Sequence, residues 1–174
     1  MVDPRLKSLA LAVGVLGLDR VTKWMVERYV SFSAGYKIIP GLFDIVHWEN
    51  RGMAFGVFDD SESQWRPLLL IALSIAAMIW VSVMLWRAKR LDALLCWAFA
   101  LVLAGAAGNL FDRVVSGRVT DFLLFYVGEH QWPAFNVADS AIVIGCGLLV
   151  VDQWRGTHSK TPHSKTTHGK DHVS

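Results

Sequence analysis

The sequence predicts an α-helical membrane protein: four transmembrane helices, a small extracytoplasmic β-sheet and a short interfacial helix. Three observations predict it. Of the 174 residues, 53% are hydrophobic, against about 45–50% in an ordinary soluble domain. The excess is gathered into blocks near 6–26, 68–86, 93–111 and 137–154, each close to the ~20 apolar residues that a span requires. Basic residues crowd the segments on one side of these blocks, and two stretches between blocks have strand-like composition.

The first block is interrupted by Asp19, Arg20 and Lys23. Arg5, Lys7 and Leu9–Leu18 have the order of a secretory leader. No small-x-small cleavage site follows directly, so the block reads as a retained span. Residues 68–86 and 93–111 carry no charge, and 137–154 holds Asp139 near its start. Between the first two blocks, Pro40-Gly41 marks a turn and Leu42–Trp48 reads as a strand. Asp59-Asp-Ser-Glu-Ser-Gln-Trp65 has the composition of a capped interfacial helix. Residues 119–127, Val-Thr-Asp-Phe-Leu-Leu-Phe-Tyr-Val, favour a second strand. Small residues recur every fourth position at Ala100, Ala104 and Gly108, and again at Ala141 and Gly145, a pattern that lets helices approach closely in lipid. Residues 1–156 read as one membrane-embedded domain. Residues 157–174, with His158, His163, His168 and His172, read as a disordered, solvated tail.

Arg5, Lys7, Arg87, Lys89, Arg90, Arg155, Lys160, Lys165 and Lys170 fall on one side of four spans. The longer segments 27–67 and 112–135 carry more acidic than basic residues. The positive-inside rule puts both termini in the cytoplasm and both long loops outside. A net charge of +2 gives no case for nucleic-acid binding. Cys96 and Cys146 lie within spans and read as small packing residues.

Asp121 and Asp139 stand at the edges of very apolar sequence, and a carboxylate there is costly unless paired, hydrated or functional. Two carboxylates from separate segments can share one proton and activate a water, as in aspartyl proteases. Other polar residues gather at the same depth. Asn109, Asp112 and Arg113 are spaced i, i+3, i+4. Asn136, Asp139 and Ser140 repeat that spacing, and Asp19 and Lys23 form an i, i+4 pair. Singly, each has a plainer reading: a structural ion pair for Asp19–Lys23, a neutralised Asp112–Arg113 pair, an ordinary turn at Asn50-Arg51-Gly52, a helix-dipole partner in Asp139. Their coincidence at one depth argues for a site. A Mg²⁺-dependent lipid head-group transferase would need carboxylates on neighbouring helical turns, and Asp112, Asp121 and Asp139 are too widely spaced. A proton-coupled transporter would want acids in a path across the membrane.

The segments Leu-Asp19-Arg-Val-Thr-Lys23, Asn50-Arg-Gly52-Met-Ala-Phe-Gly, Gly105-Ala-Ala-Gly108-Asn109-Leu-Phe-Asp112-Arg113, Val-Thr-Asp121-Phe and Phe-Asn136-Val-Ala138-Asp139-Ser occur in that order. Together they closely resemble the bacterial lipoprotein signal peptidase family, signal peptidase II. The resemblance runs from about residue 10 to 153. It implies a multi-pass protein of the bacterial inner membrane, monomeric, with an aspartyl dyad near the outer face and neither metal nor cofactor. It implies cleavage of diacylglyceryl-modified prolipoproteins on the N-terminal side of the lipidated cysteine, with membrane lipids as surroundings and no nucleic-acid partner. By motif, Asp121 and Asp139 are the catalytic pair. Asn50, Gly52, Asn109, Arg113, Asn136 and Ala138 shape the site or touch substrate, and Asp19, Lys23 and Asp112 support it. Arg20 and Arg51 receive no role.

Overall fold

A computed structural model describes residues 4–32, 34–52, 65–87 and 92–158. Its elements are α1 (Pro4–Tyr29), β1 (Tyr36–Ile39), β2 (Phe43–Asn50), α2 (Trp65–Arg87), α3 (Ala93–Ser116), β3 (Val119–Val127), β4 (His130–Gln131) and α4 (Val137–His158). Both expected strands are present. The expected interfacial helix falls on residues 59–64, outside the described residues, and α2 begins at Trp65. α4 continues to His158, so Thr157 and His158 are helical, not the start of the tail. The sequence between Asp152 and His158 contains no proline, and the helix runs on through Gly156.

Local chemistry sets the helix ends. Pro4 opens α1, where its missing N–H costs nothing. Asp92 caps α3 by accepting the Leu95 N–H at 2.9 Å. Gly117 ends α3 in the left-handed region at φ 68°, and its N–H reaches the Arg113 carbonyl. α3 therefore runs past residue 111 and holds Asn109, Asp112 and Arg113 within its final turns. At the end of α1 the Val30 carbonyl accepts from His47 Nδ1 at 2.8 Å, which ties β2 to that helix.

Among the described residues, three helices are long and apolar enough to cross a membrane: Leu68–Arg87 in α2, Ala93–Ser116 in α3 and Val137–Arg155 in α4. α1 is as long at 26 residues, but its charged residues set it apart in composition. α3 is central, packing against α1, α2 and α4, whereas α2 packs mainly against α3. α2 is accordingly apolar on nearly every face, with Leu68, Leu73, Ile79 and Trp80 exposed, as a lipid-surrounded helix must be. Val81, Phe99 and Val102 form the core between α2 and α3, joined by Leu149 of α4. Val26, Val30 and Phe122 form another, which seats the sheet on the end of α1. Burying Phe122 contributes about 2–3 kcal/mol.

The sheet is antiparallel throughout, in the order β1-β2-β3-β4. Its β2–β3 ladder pairs Trp48 with Asp121, Glu49 with Thr120 and Asn50 with Val119, after an irregularity between Ile45 and Trp48. This register carries Asp121 to the end of the bundle where α1 and α3 finish and α4 begins.

The α3–α4 crossing is set by glycines. A Cβ on Gly105 would collide with the Ala138 carbonyl oxygen and lie 2.7 Å from Ile142 Cγ1. A Cβ on Gly108 would lie 2.8 Å from Asp19 Oδ2 and 3.3 Å from Ala138 Cβ. Gly147 of α4 has open space around it. Gly105→Ala and Gly108→Ala are each expected to destabilise the detergent-solubilised protein by about 1–3 kcal/mol. Gly147→Ala should be neutral or slightly stabilising, because alanine is the better helix former. Thermal unfolding of the three variants checks this ranking.

Candidate active site

Asp121 is buried on β3. Asn50 sits diagonally across the β2–β3 ladder and donates from Nδ2 to Asp121 Oδ2 at 3.0 Å. The other end of that amide is fixed by its own turn. Asn50 Oδ1 accepts the Gly52 N–H at 2.8 Å, and Gly52 takes φ 97°, a value that costs other residues strain. With its oxygen engaged by a backbone donor, Asn50 can offer Asp121 only its nitrogen.

Asp139 is half-buried in the first turn of α4, and its placement is a capping box. Asn136 Oδ1 accepts the Asp139 N–H at 2.9 Å. Asp139 Oδ2 in turn accepts the Asn136 N–H at 3.2 Å. The Asn136 side chain also donates from Nδ2 to Asp121 Oδ1 at 2.8 Å. One fully buried asparagine thus touches both aspartates, one through its side chain and the other through its backbone. Its longer Nδ2 contacts, to Asn109 Oδ1 at 3.3 Å and the Thr120 carbonyl at 3.4 Å, share the same two hydrogens.

Asn109 completes the ring by donating from Nδ2 to Asp139 Oδ1 at 2.7 Å. Its Oδ1 accepts from Lys23 Nζ at 3.2 Å. An ammonium has no lone pair to offer, so Lys23 fixes which end of the Asn109 amide faces Asp139. Lys23 is itself fully buried, with Nζ 2.9 Å from Asp19 Oδ2 and 2.6 Å from Asp112 Oδ2. The Asp112 contact is an ion pair without a directed hydrogen bond. Asp19 uses its second oxygen to accept the Ala138 N–H at 3.0 Å, reaching across Gly108 to do so. Ala138 is completely buried at this crossing. Arg113 is half-buried and donates from Nη1 to the Asn109 carbonyl at 3.3 Å, while its buried Nε has no hydrogen-bond partner among the described residues.

The eleven residues singled out from sequence therefore converge at one end of the bundle. One expected pairing is different. Asp112 does not pair with its neighbour Arg113; it pairs with Lys23 and Arg20, both on α1. Successive residues on a helix point about 100° apart, so Asp112 faces α1 while Arg113 turns toward the aspartates. Sequence reasoning passed over Thr120, whose carbonyl faces Asn136 and whose hydroxyl donates to Glu27 Oε1 at 2.6 Å. That bond ties β3 to α1 beside Asp121. Only its adjacency to Asp121 could have pointed to it.

Electrostatics distinguishes the site. Asp121 is pushed up to about 6, chiefly by burial; the charge of Asp139 adds to this, and bonds from Asn50 and Asn136 and the charge of Lys23 oppose it. Among the described residues, no three His, Cys, Asp or Glu side chains converge in a way that could hold a metal ion.

Comparison with known proteins agrees with the motifs. The sequence profile described as signal peptidase (SPase) II matches residues 11–155. The lipoprotein signal peptidase of Solibacter usitatus is 52% identical over 155 residues, covering 89% of this chain and 94% of that protein. The lipoprotein signal peptidase of Nitratidesulfovibrio vulgaris is 44% identical over 147 residues, covering 84% and 88%. A bacterial membrane enzyme structure solved in meso at 2.3 Å superposes with a TM-score of 0.79 at 26% identity, covering 91% of this chain and 93% of that one. Another at 1.9 Å gives 0.74 at 27% identity, covering 84% and 92%.

The raised Asp121 has a consequence for stability. An acid whose folded value lies near 6 and whose ordinary value is 3.8 binds its proton more tightly when folded. The stability this group contributes is therefore greatest at low pH and falls as pH rises through the window between those values. Asp121→Asn cannot ionise and escapes this loss. Whatever the offset between variant and wild type near pH 4, it should move in the variant's favour by on the order of 1–3 kcal/mol near pH 7. Thermal unfolding at the two pH values measures it, and a pH-independent offset would contradict the burial argument.

Proposed function

The chain belongs to the signal peptidase II family, and from this premise we propose that it is an aspartic endopeptidase with Asp121 and Asp139 as its catalytic pair. The observation that carries the proposal is Asn136, which hydrogen-bonds both carboxylates at once, 2.8 Å from one and 3.2 Å from the other. Two acids held by one asparagine at the end of an apolar bundle suit a shared proton and a water between them. Asp121, raised by burial, takes the acid role in this reading. Asp139 takes a proton from the water as its oxygen attacks the scissile carbonyl carbon. Asp121 O–H donates to the developing oxyanion. The C–N bond then breaks, the proton on Asp139 passes to the leaving amine, and the new carboxyl remains on the released signal peptide. Asn50, Asn109 and Asn136 hold the two acids in place, and the half-buried Arg113 guanidinium beside them would offer a donor to substrate.

The substrate in this reading is a prolipoprotein bearing diacylglycerol on a cysteine, cut on the N-terminal side of that cysteine. Its acyl chains would bury at about 0.8 kcal/mol per CH₂ and fix the scissile bond at the depth of the dyad. α1 acts as the fourth span, since its costliest charges, Asp19 and Lys23, are fully buried in the bundle. The protein then sits in the bacterial inner membrane as a monomer with both termini cytoplasmic and the sheet at the outer face. Residues 1–156 form the working domain, and the polar tail takes no part in cleavage.

Incubation with a lipidated precursor and its unlipidated twin, followed by mass analysis, tests this directly. The lipidated precursor should be cleaved before its modified cysteine and the twin scarcely at all. Asp121→Asn and Asp139→Asn should each lower turnover at least 10²–10⁴-fold, roughly the contribution of one general acid or base. EDTA should leave the rate unchanged. Equal rates on the two substrates, or near-wild-type turnover in either variant, would sink the assignment.

A further inference from the structure

Arg20 flanks the motif residue Asp19, and its spacing alone assigns it no role. In the structure its guanidinium is ion-paired to Asp112 Oδ1, and its Cζ lies 4.8 Å from the centre of the Phe111 ring. Its side chain keeps only 29% of its exposure. It is thus clamped between two consecutive residues of α3, a carboxylate and an aromatic face, at the margin of the buried network.

Charge balance shows what depends on it. Asp19, Asp112, Lys23 and Arg20 form two acids against two bases. Lys23 hydrogen-bonds Asp19 Oδ2 and Asn109 Oδ1 and is ion-paired to Asp112 Oδ2, and the Asn109 contact is the longest of the three at 3.2 Å. Without Arg20, the buried Asp112 would keep Lys23 as its one ion-pair partner among the described residues. Attraction in a poorly solvated interior would draw the ammonium toward Asp112. The longest bond is the first to be lost, and with it the contact that orients the Asn109 amide. Asn109 Nδ2 would then no longer be held on Asp139 Oδ1.

We propose that Arg20 is a positioning residue for the aspartate pair: by neutralising Asp112 it keeps Lys23 shared with Asn109, and so keeps Asn109 on Asp139. This rests on the catalytic reading of Asp121 and Asp139. The charged groups facing the Arg20–Asp112 pair are Asp19 and Lys23 from α1 and Arg113 from α3. Asp139 on α4 and Asp121 on β3 stand beyond Asn109. The part of α2 in the bundle, residues 68–86, contributes none.

The test uses full-length wild type, Arg20→Gln, Arg20→Lys and the double variant Arg20→Gln/Asp112→Asn in detergent. Turnover and KM on a lipidated precursor are followed across pH. Arg20→Gln should lose roughly tenfold to a hundredfold in kcat, with KM within about twofold. Losing a cation near the acids should also move the pH–rate profile to higher pH by about half a unit. Arg20→Lys should restore most of both, and the double variant should turn over faster than Arg20→Gln because the unbalanced carboxylate is gone. Wild-type kcat and pH profile in Arg20→Gln would overturn the proposal. So would a loss that lysine does not rescue, or one that Asp112→Asn deepens. If Arg20→Gln fails to fold, Arg20→Lys and the double variant still decide it by their own kcat and pH profiles. Infrared titration of the carboxyl signal that Asp121→Asn removes gives a readout without substrate. If it moves in Arg20→Gln while the wild type fails to cut the lipidated precursor, the catalytic reading has failed and the Arg20 coupling stands; an unmoved signal overturns the coupling.

Discussion

Lys23 has no access to solvent, and a buried ammonium is tolerable only when its charge is matched and its N–H groups are engaged. Its side chain is completely buried between α1 and α3, and its nitrogen serves Asp19, Asp112 and Asn109. From that requirement much of the site follows. Asp19 must lie beside Lys23, and in doing so it crosses Gly108 to hold the first turn of α4 at Ala138. Asp112 must face α1, which leaves Arg113 to face the aspartates. Asn109 must present its oxygen to the ammonium, which leaves its nitrogen for Asp139. A single cation thereby sets the direction of hydrogen bonds on three helices.

The remainder of the molecule holds this network at one depth. α2 is apolar almost all round and packs chiefly against α3, so among the described residues it contributes packing and no polar partner to the network. The sheet brings Asp121 in from the other side, seated on α1 by Val26, Val30 and Phe122 and by the bonds of His47 and Thr120. Asn136 is where the two halves meet. As the cap of α4 it orients Asp139, and as a side-chain donor it holds Asp121. In water such an asparagine would exchange its partners readily. In a buried setting each unmade bond costs about 1–3 kcal/mol, which keeps the arrangement unique.

Much of this was legible in the residues, for identifiable reasons. The i, i+3, i+4 spacing placed Asn109, Asp112 and Arg113 together because helical geometry alone brings such residues to one side. Apolar block length located α2, α3 and α4, and the composition of 119–127 marked β3 at its observed bounds. What the sequence could not show depends on long-range register. Asp112 prefers partners 89 and 92 positions away over its immediate neighbour, a choice made by the rotation of α3 against α1. Gly105 falls outside the four-residue stripe at Ala100, Ala104 and Gly108, yet it is the tightest point of the α3–α4 crossing. Arg20 varies in significance with the position of Phe111 and Asp112, and no periodicity in α1 announces that.

The most direct test of the account is a structure of the Asp139→Asn protein with an uncleaved diacylglyceryl-modified precursor bound. The account predicts that the scissile carbonyl carbon lies between Asp121 and position 139, with Asn136 still touching both and the acyl chains against the apolar faces of the helices. A precursor held with its scissile bond away from these two positions would contradict it.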